Sequence, residues 1–565
     1  IMGWTGGYCL VALLLAPYLR KFGQFTIPDF LGERYGGNLP RMLGVMAALL
    51  CSFTYVVAQI YGVGIITARL TGVAFELGIF LGLGGILLCS FLGGMRAVTW
   101  TQVTQYLVII VAYLLPVVWL SVKQTGVPVP QVIYGYQLQK VSAREDELSH
   151  DPKELQVQQI FSQRSLDLAA KLQDPATALA ADRVRAAKAL AALKASDAPI
   201  AEVYAADRAL LALPKTPEAA RVAWTQAKAE ADAKSRPLNG MPPHAQQFAG
   251  DPHGDARARE EFDLSRRNFL ALVFCLMVGT AALPHILIRY YTVPNVRQAR
   301  QSVAWSLFFI VLLYITAPAL AVLVKYEVFT LVVGTPFSQL PEWITAWNKV
   351  DPNLLSAVDV NRDGILQLNE LSIGGDIIML AAPAIGGLPY VVSGLVAAGG
   401  LAAALSTADG LLLTISNALV HDIGPGRARK PKSAEGRVIL SKFALLAVAM
   451  LAAVVAAFKP AEILALVSTS FSLAAAAFFP GMVLGMAWKR VHRRAVVAGM
   501  LAGLSVTVFY LMANAQGLRH ALGLDPAGGL WFGIQPLSAG VFGVPVGFLV
   551  MALVTWLPAA ANNDA

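Results

Sequence analysis

The chain is 565 residues long, 56% hydrophobic and only 14% charged, with a mean hydropathy of +0.59. A water-soluble protein of this length needs far more charge to cover its surface, so an ordinary soluble enzyme is excluded and a multi-span protein of a lipid bilayer is indicated. The net charge of +9 does not mark a nucleic-acid binder, because the long polar stretch 140–263 carries 19 acidic and 17 basic side chains.

Apolar stretches long enough to cross a ~30 Å hydrocarbon core recur along the chain. They fall near 2–19, 42–69, 73–93, 102–122, 268–290, 303–325, 388–420, 438–458, 461–487, 495–514 and 538–558. All are expected to be helical, because a helix satisfies its own backbone groups in lipid. Cys9, Cys51, Cys89 and Cys275 lie inside them and read as small packing residues, not as disulfides or metal ligands. Basic residues concentrate in every second connection: 20–41, 93–100, 289–300, 427–437 and 489–494. The positive-inside rule makes these cytoplasmic, in a bacterial inner membrane crossed many times.

Residues 1–122 form the first part of the membrane core. Within the second span, "SFTYVVAQIYGVG" (52–64) sets Thr54, Tyr55, Gln59 and Tyr61 in a polar line. Such groups bind a solute or, more commonly, hydrogen-bond a neighbouring helix. Residues 123–266 are then an extracytoplasmic insert rich in Ala and charge, punctuated by Pro214, Pro217 and Pro237. It reads as a small helical subdomain with a flexible end at 235–255, an accessory or partner-contacting element without catalytic groups.

The next membrane section, 267–325, contains "FCLMVGTAALPHILIRYYTVPNVRQARQS" (274–302). Gly279 and Pro284 interrupt its span, and a broken helix exposes backbone groups that bind substrate in transporters; a plain kink is the alternative. His285 reads as structural, and Arg289 as snorkelling to the interface.

Residues 326–387 form a second external connection. It holds "DVNRDGILQLNE" (359–370), which matches the calcium-loop pattern at every position. Asp359, Asn361, Asp363, the carbonyl of Ile365, Gln367 and Glu370 stand at the ligand positions, with Gly364 at the turn. Short helices are expected to enter at 353–358 and leave at 368–375. Such loops normally pair and this one stands alone, so an empty loop is the alternative to a structural Ca²⁺ site.

Membrane section 388–487 holds "AAGGLAAALSTADGLLLTISNALVHDI" (397–423), with Ser406 and Thr407 adjacent and Asp409 three residues beyond Ser406. The carbonyl of Ala403 and the Thr407 hydroxyl are one turn apart and can meet at one hard-cation site such as Na⁺. Alternatively the hydroxyls bond back to carbonyls one turn earlier. Two further helices complete the chain over 488–565.

Four stretches together resemble the sodium/solute symporter family: "APYLRKFGQFTIPDFLGERYGG" (16–37), "GGMRAVTWTQVTQ" (93–105), "GTAALPHILIRYYTVPNVRQARQS" (279–302) and "LAAALSTADGLLLTISNALVHDI" (401–423). The run at 279–293 is particularly similar to the cation/acetate symporter branch. The resemblance implies an all-α, polytopic, LeuT-like fold built as an inverted repeat of five plus five helices, with sites at discontinuous helices near the midplane. It implies Na⁺ ligands at Ala403 (carbonyl), Ser406 and Thr407, and a substrate cavity at Gly279, Thr280 and Pro284, with Thr54, Tyr55, Gln59 and Asp409 as further candidates. "GWTGGY" (3–8) corresponds to the second core helix, so the first is expected upstream of Ile1. Gln102 stands where many relatives carry Asp, which argues for a single Na⁺.

The expected activity is therefore transport, not enzymatic turnover: Na⁺-coupled import of a small solute, with acetate or a similar short monocarboxylate favoured by the branch. The alternatives are proton coupling through Asp409, another solute such as an amino acid, or a transporter-like sensor of solute or calcium.

Overall fold

Ten helices among the described residues are long and apolar enough to cross a membrane. They are Met2–Phe22, Asn38–Thr71, Trp100–Thr125, Ala256–Arg289, Val296–Val332, Tyr390–Val420, Ile439–Ala457, Ile463–Ala487, Arg493–Ala513 and Pro536–Trp556. The structure, a computed structural model, describes residues 2–557 except 24–25, 197, 292, 424–433, 516–518 and 520–528. Within helices it leaves out the side chains of 86, 88–99, 290–291, 417, 421–423, 434–435 and 437–438. The basic connection 427–437 thus lies largely outside the described residues, as does the side chain of Cys89.

The span expected at 73–93 appears as the shorter apolar segment Phe75–Gly85. It belongs to one helical run, Phe75–Thr125, of 51 residues. This differs from the expected loop at 93–100: helical hydrogen bonding passes through those residues, whose sequence contains no proline to interrupt it. The two described arms still pack on different partners. Ile79 meets Gly64, whereas Ala112 meets Gly399. Phe75 lies under the ammonium of Lys459, and Lys123 pairs with Glu327 at 3.2 Å.

Small residues set the closest helix approaches. Gly3 and Gly7 are one turn apart on the first span and share a face. A Cβ on Gly7 would stand 2.4 Å from the Thr280 Cβ, so only a bare backbone fits there. Gly279 likewise lies against the backbone of Phe471. These approaches fix the broken helix against the first span on one side and Ile463–Ala487 on the other. Cys9, Cys51 and Cys275 are free thiols, and Cys51 and Cys275 are fully buried as packing residues.

The basic connections converge on one face. Arg20 donates to the carbonyl of Pro294 at 2.8 Å, and Arg34 donates to the carbonyls of Gly485 and Trp488. The opposite face carries the insert and the 326–387 connection. The insert is helical at Pro130–His150, Pro152–Gln173, Pro175–Ala195, Ile200–Leu211 and Pro217–Lys234. Four of these five helices begin with proline, whose missing N–H costs nothing in the first turn. Asp151, Asp174 and Thr216 cap helix starts. Val157, Phe161, Leu168, Ala220 and Trp224 form its own small core.

Two expectations about this face are corrected. The 235–255 segment is docked: Asn239 donates to the carbonyls of Leu368 and Leu371, each at 2.9 Å, and the His244 amide donates to Glu145. Its polar groups find partners, so low hydrophobicity does not leave it loose. The 359–370 loop is flanked by strands, and of the expected leaving helix only a single 3-10 turn, Leu368–Glu370, is present. Leu355–Ala357 pairs antiparallel with Leu371–Ile373, because Leu355 and Leu371 alternate with serines and bury their side chains.

Candidate functional site

The long helix Tyr390–Asn417 carries the hydroxyl pair. Ser406 and Thr407 both donate to the carbonyl of Ala403, at 2.9 and 3.1 Å. The back-bonded alternative is therefore the observed arrangement, and it gathers three oxygens at one point on the helix surface. Ser406 and Thr407 also border a cavity of about 520 Å³.

Opposite them stands the broken helix. Ala256–Thr280 ends and Pro284–Tyr291 begins, leaving Ala281–Leu283 unwound at the expected break. Pro284 starts the second half, where it needs no N–H partner. Gly279 and Thr280 lie buried behind this wall, with the Thr280 hydroxyl donating to the carbonyl of Leu276. His285 and Arg289, from the second half, reach the cavity itself. Arg289 is exposed, in keeping with the snorkelling role read for it, and its guanidinium also donates to the Gln102 Oε1 at 2.8 Å on the cavity wall. Gln102 in turn donates to the carbonyl of Ser406 at 2.8 Å. Two side chains and one backbone carbonyl, from three separate segments, thus form one chain of hydrogen bonds along the cavity wall.

Of the polar line in the second span, only Tyr55 borders the cavity, packed edge-on to His285 and Phe471. Thr54 bonds back to Leu50, and Gln59 is not among the lining residues. Asp409 is fully buried and also stands off the wall. Sequence reading missed the contributions of Tyr8, Tyr106, Ser302 and Ser306. Their available signal was polarity at the ends of apolar spans, which does not tell a cavity from an interface.

The sequence profile of the sodium:solute symporter family matches residues 1–195 and 378–503, more than half of the chain. The chain belongs to the sodium:solute symporter family. The symporter is 49% identical over 564 residues to an uncharacterized symporter of Cupriavidus necator, covering 99% of this chain and 81% of that one. It is 26% identical to a monocarboxylic acid transporter of Corynebacterium glutamicum over 53% of this chain and 48% of that one. Among solved structures, a Na⁺-coupled sialic acid symporter in its substrate-bound outward-open state superposes with a TM-score of 0.53. The match has 13% identity and covers 100% of this chain and 84% of that chain, and it places the symporter in the same LeuT-like fold. The symporter is a multi-pass membrane transporter that couples solute movement to Na⁺.

The calcium-patterned loop of the symporter has a different neighbourhood. It clasps the insert: Glu154 accepts from the amides of Leu368 and Asn369, Asn369 donates to the carbonyls of Lys234 and Arg236, and Lys153 pairs with Asp363 at 3.2 Å. Two buried oxygens, Asp359 Oδ1 and Gln367 Oε1, lack a hydrogen-bond partner and would suit a cation. Of the remaining ligands, the Asn361, Asp363 and Glu370 side chains already accept hydrogen bonds. Glu370 accepts from the amides of Val360 at 2.6 Å and Gln367 at 3.1 Å, and Asp363 accepts from Ile365 and Gln367. Among the described residues no group of three or more His, Cys, Asp or Glu side chains is placed to hold a metal ion.

Burial raises the Glu154 carboxyl to about 7, with Asp151 and Glu370 adding negative charge and the two amides opposing the shift. A carboxyl raised in the folded state stabilises the docked form most below its ordinary value of 4.5, and that contribution is lost as pH climbs through about 7. The protection of the Leu368 and Asn369 amides, measured relative to their intrinsic exchange rates, is therefore expected to fall between pH 5 and 8. Glu154→Gln should flatten this profile, and an unchanged profile in that variant would assign the pH dependence elsewhere.

Proposed function

We propose that this symporter imports a short monocarboxylate, acetate or a near homologue, with one Na⁺ by alternating access. The observation that carries this reading is the Arg289 guanidinium standing in the same cavity as Ser406 and Thr407. A carboxylate needs a cationic or amide-lined partner once it leaves water, and a guanidinium offers a planar fork that matches it. The named substrate class of the Corynebacterium relative points the same way. Na⁺ would take the carbonyl of Ala403 and the two hydroxyls once these turn from each other to the ion. Tyr55 would face the solute, with Gly279, Thr280 and Pro284 setting the wall from behind it.

Co-transport of one Na⁺ with one monocarboxylate is electroneutral, so the chemical gradient of Na⁺ drives it and the voltage term of ~2.3 kcal/mol per 100 mV cancels. Uptake of labelled acetate into vesicles is expected to require an inward Na⁺ gradient and to ignore an imposed potential. Uptake that ignores Na⁺ would remove the reading.

The basic face is cytoplasmic in this proposal, which sets the insert and the 359–370 loop outside, where calcium is abundant. The loop would take Ca²⁺ on Asp359, Asn361, Asp363, the carbonyl of Ile365, Gln367 and Glu370 only by displacing Lys153 from Asp363 and freeing Glu370 from its amides. Binding is then expected to be weak, no tighter than the ~10⁻⁴–10⁻³ M of extracellular modules. Thermal unfolding of native and Asp359→Ala protein, with millimolar Ca²⁺ or chelator, tests this. A calcium-dependent rise of a few degrees should appear only in the native protein, and equal curves would leave a cation-independent clasp.

A further inference from the structure

A second cavity opens on the insert side, about 580 Å³ in volume, between the end of Asn38–Thr71 and the start of Tyr390–Asn417. Arg69 projects from the last turn of the first of these helices and lines this space. Its guanidinium lies 5.3 Å over the ring of Trp347 and is half-buried. Among the described residues it makes no hydrogen bond and no ion pair. Trp343 and Tyr390 supply further aromatic wall, and Ser393 a hydroxyl. Glu342 stands on the same wall, outside ion-pair distance of Arg69.

A half-buried guanidinium is usually satisfied by a carboxylate or carbonyls, since its donors are costly to desolvate without partners. Here stacking on Trp347 satisfies one face by cation–π attraction and orients the edge, while the N–H groups remain available toward the cavity. That combination, a planar donor fork over an aromatic floor with an apolar rim, is the chemistry that receives a small carboxylate and its short alkyl tail.

Ser393 and Ser406 lie 13 residues apart on one continuous helix, which separates them by about 20 Å. The two cavities therefore lie about 20 Å apart along this helix, one at its start and the other just past its middle. We infer that Arg69 and Trp347 form a separate outer carboxylate site, at which the solute is captured before it reaches the cavity of Ser406 and Arg289. The identity of the ligand as a monocarboxylate rests on the proposed function above; the site's preference for a carboxylate does not require transport.

Tryptophan fluorescence of the purified full chain in nanodiscs tests this, with potassium propionate titrated against potassium chloride in the absence of Na⁺. Propionate is expected to quench saturably and chloride not to. The quench should be lost in Trp347→Phe and in Arg69→Gln, weakened in Arg69→Lys, and retained in Arg289→Gln. In uptake assays Arg69→Gln should raise KM about tenfold with the maximal rate preserved. A quench that survives Arg69→Gln, or an uptake KM that the variant leaves unchanged, overturns the site. If the Arg69 variants fail to fold, loss of the quench in Trp347→Phe supports the site and its persistence overturns it. Quenching without any carboxylate transport would overturn the monocarboxylate reading and leave this site standing, whereas transport without quenching would do the reverse.

Discussion

Arg289→Gln is expected to raise the KM for acetate uptake by about 10- to 100-fold, which corresponds to losing one charge-assisted hydrogen bond worth about 1.5–3 kcal/mol. The reasoning starts from solvation. A carboxylate crossing the membrane sheds its water, and among the groups bordering the cavity the Arg289 guanidinium is the cation that can replace it. Arg289→Lys keeps the charge but loses the planar fork, so it should recover part of the affinity. A second effect travels through Gln102. Arg289 holds the Gln102 carbonyl oxygen, which leaves the amide nitrogen aimed at the carbonyl of Ser406. Gln102→Leu should therefore disturb Na⁺ dependence more than acetate affinity. If Arg289→Gln transported acetate with native KM, the carboxylate would be bound elsewhere, for example at a half-helix N-terminus.

The membrane architecture was legible because lipid forbids unsatisfied backbone, so long apolar runs have one solution. The break at 281–283 was legible for a related reason: Gly279 and Pro284 bracket it, and proline cannot continue the bonding of the preceding turn. Side-chain partners were not legible. Arg289 was read only as snorkelling from the end of an apolar run, and its partner Gln102, 187 residues away in sequence, could not be read from local spacing. Thr54, Tyr55 and Gln59 share one span, but only Tyr55 reaches the cavity, since a helix face is assigned by its neighbours and not by its own spacing. The calcium pattern was read correctly as a loop and incorrectly in its flanks. Its ligand spacing is local, whereas the strand pairing of Leu355 with Ile373 and the clasp on Glu154 are tertiary.

The double variant Ser406→Ala, Thr407→Val is expected to abolish Na⁺ stimulation of uptake, and each single change to raise the Na⁺ concentration for half-maximal rate about tenfold. Na⁺ needs about five or six oxygen ligands, and three of the candidates here are the two hydroxyls and the Ala403 carbonyl. Removing one hydroxyl leaves a gap in the ligand set, and a water that replaces it is not held in place by the helix. Valine matches threonine in shape, so packing is preserved and the loss can be assigned to the oxygen. The competing account is that both hydroxyls only satisfy the Ala403 carbonyl, at 2.9 and 3.1 Å. That account predicts a different result. The helix already bonds its own carbonyls, so loss of a second, side-chain donor costs little, and Na⁺ dependence would be native in all three variants. The two outcomes are separated by measuring acetate uptake against Na⁺ concentration at fixed ionic strength, with membrane abundance of each variant as the control for folding.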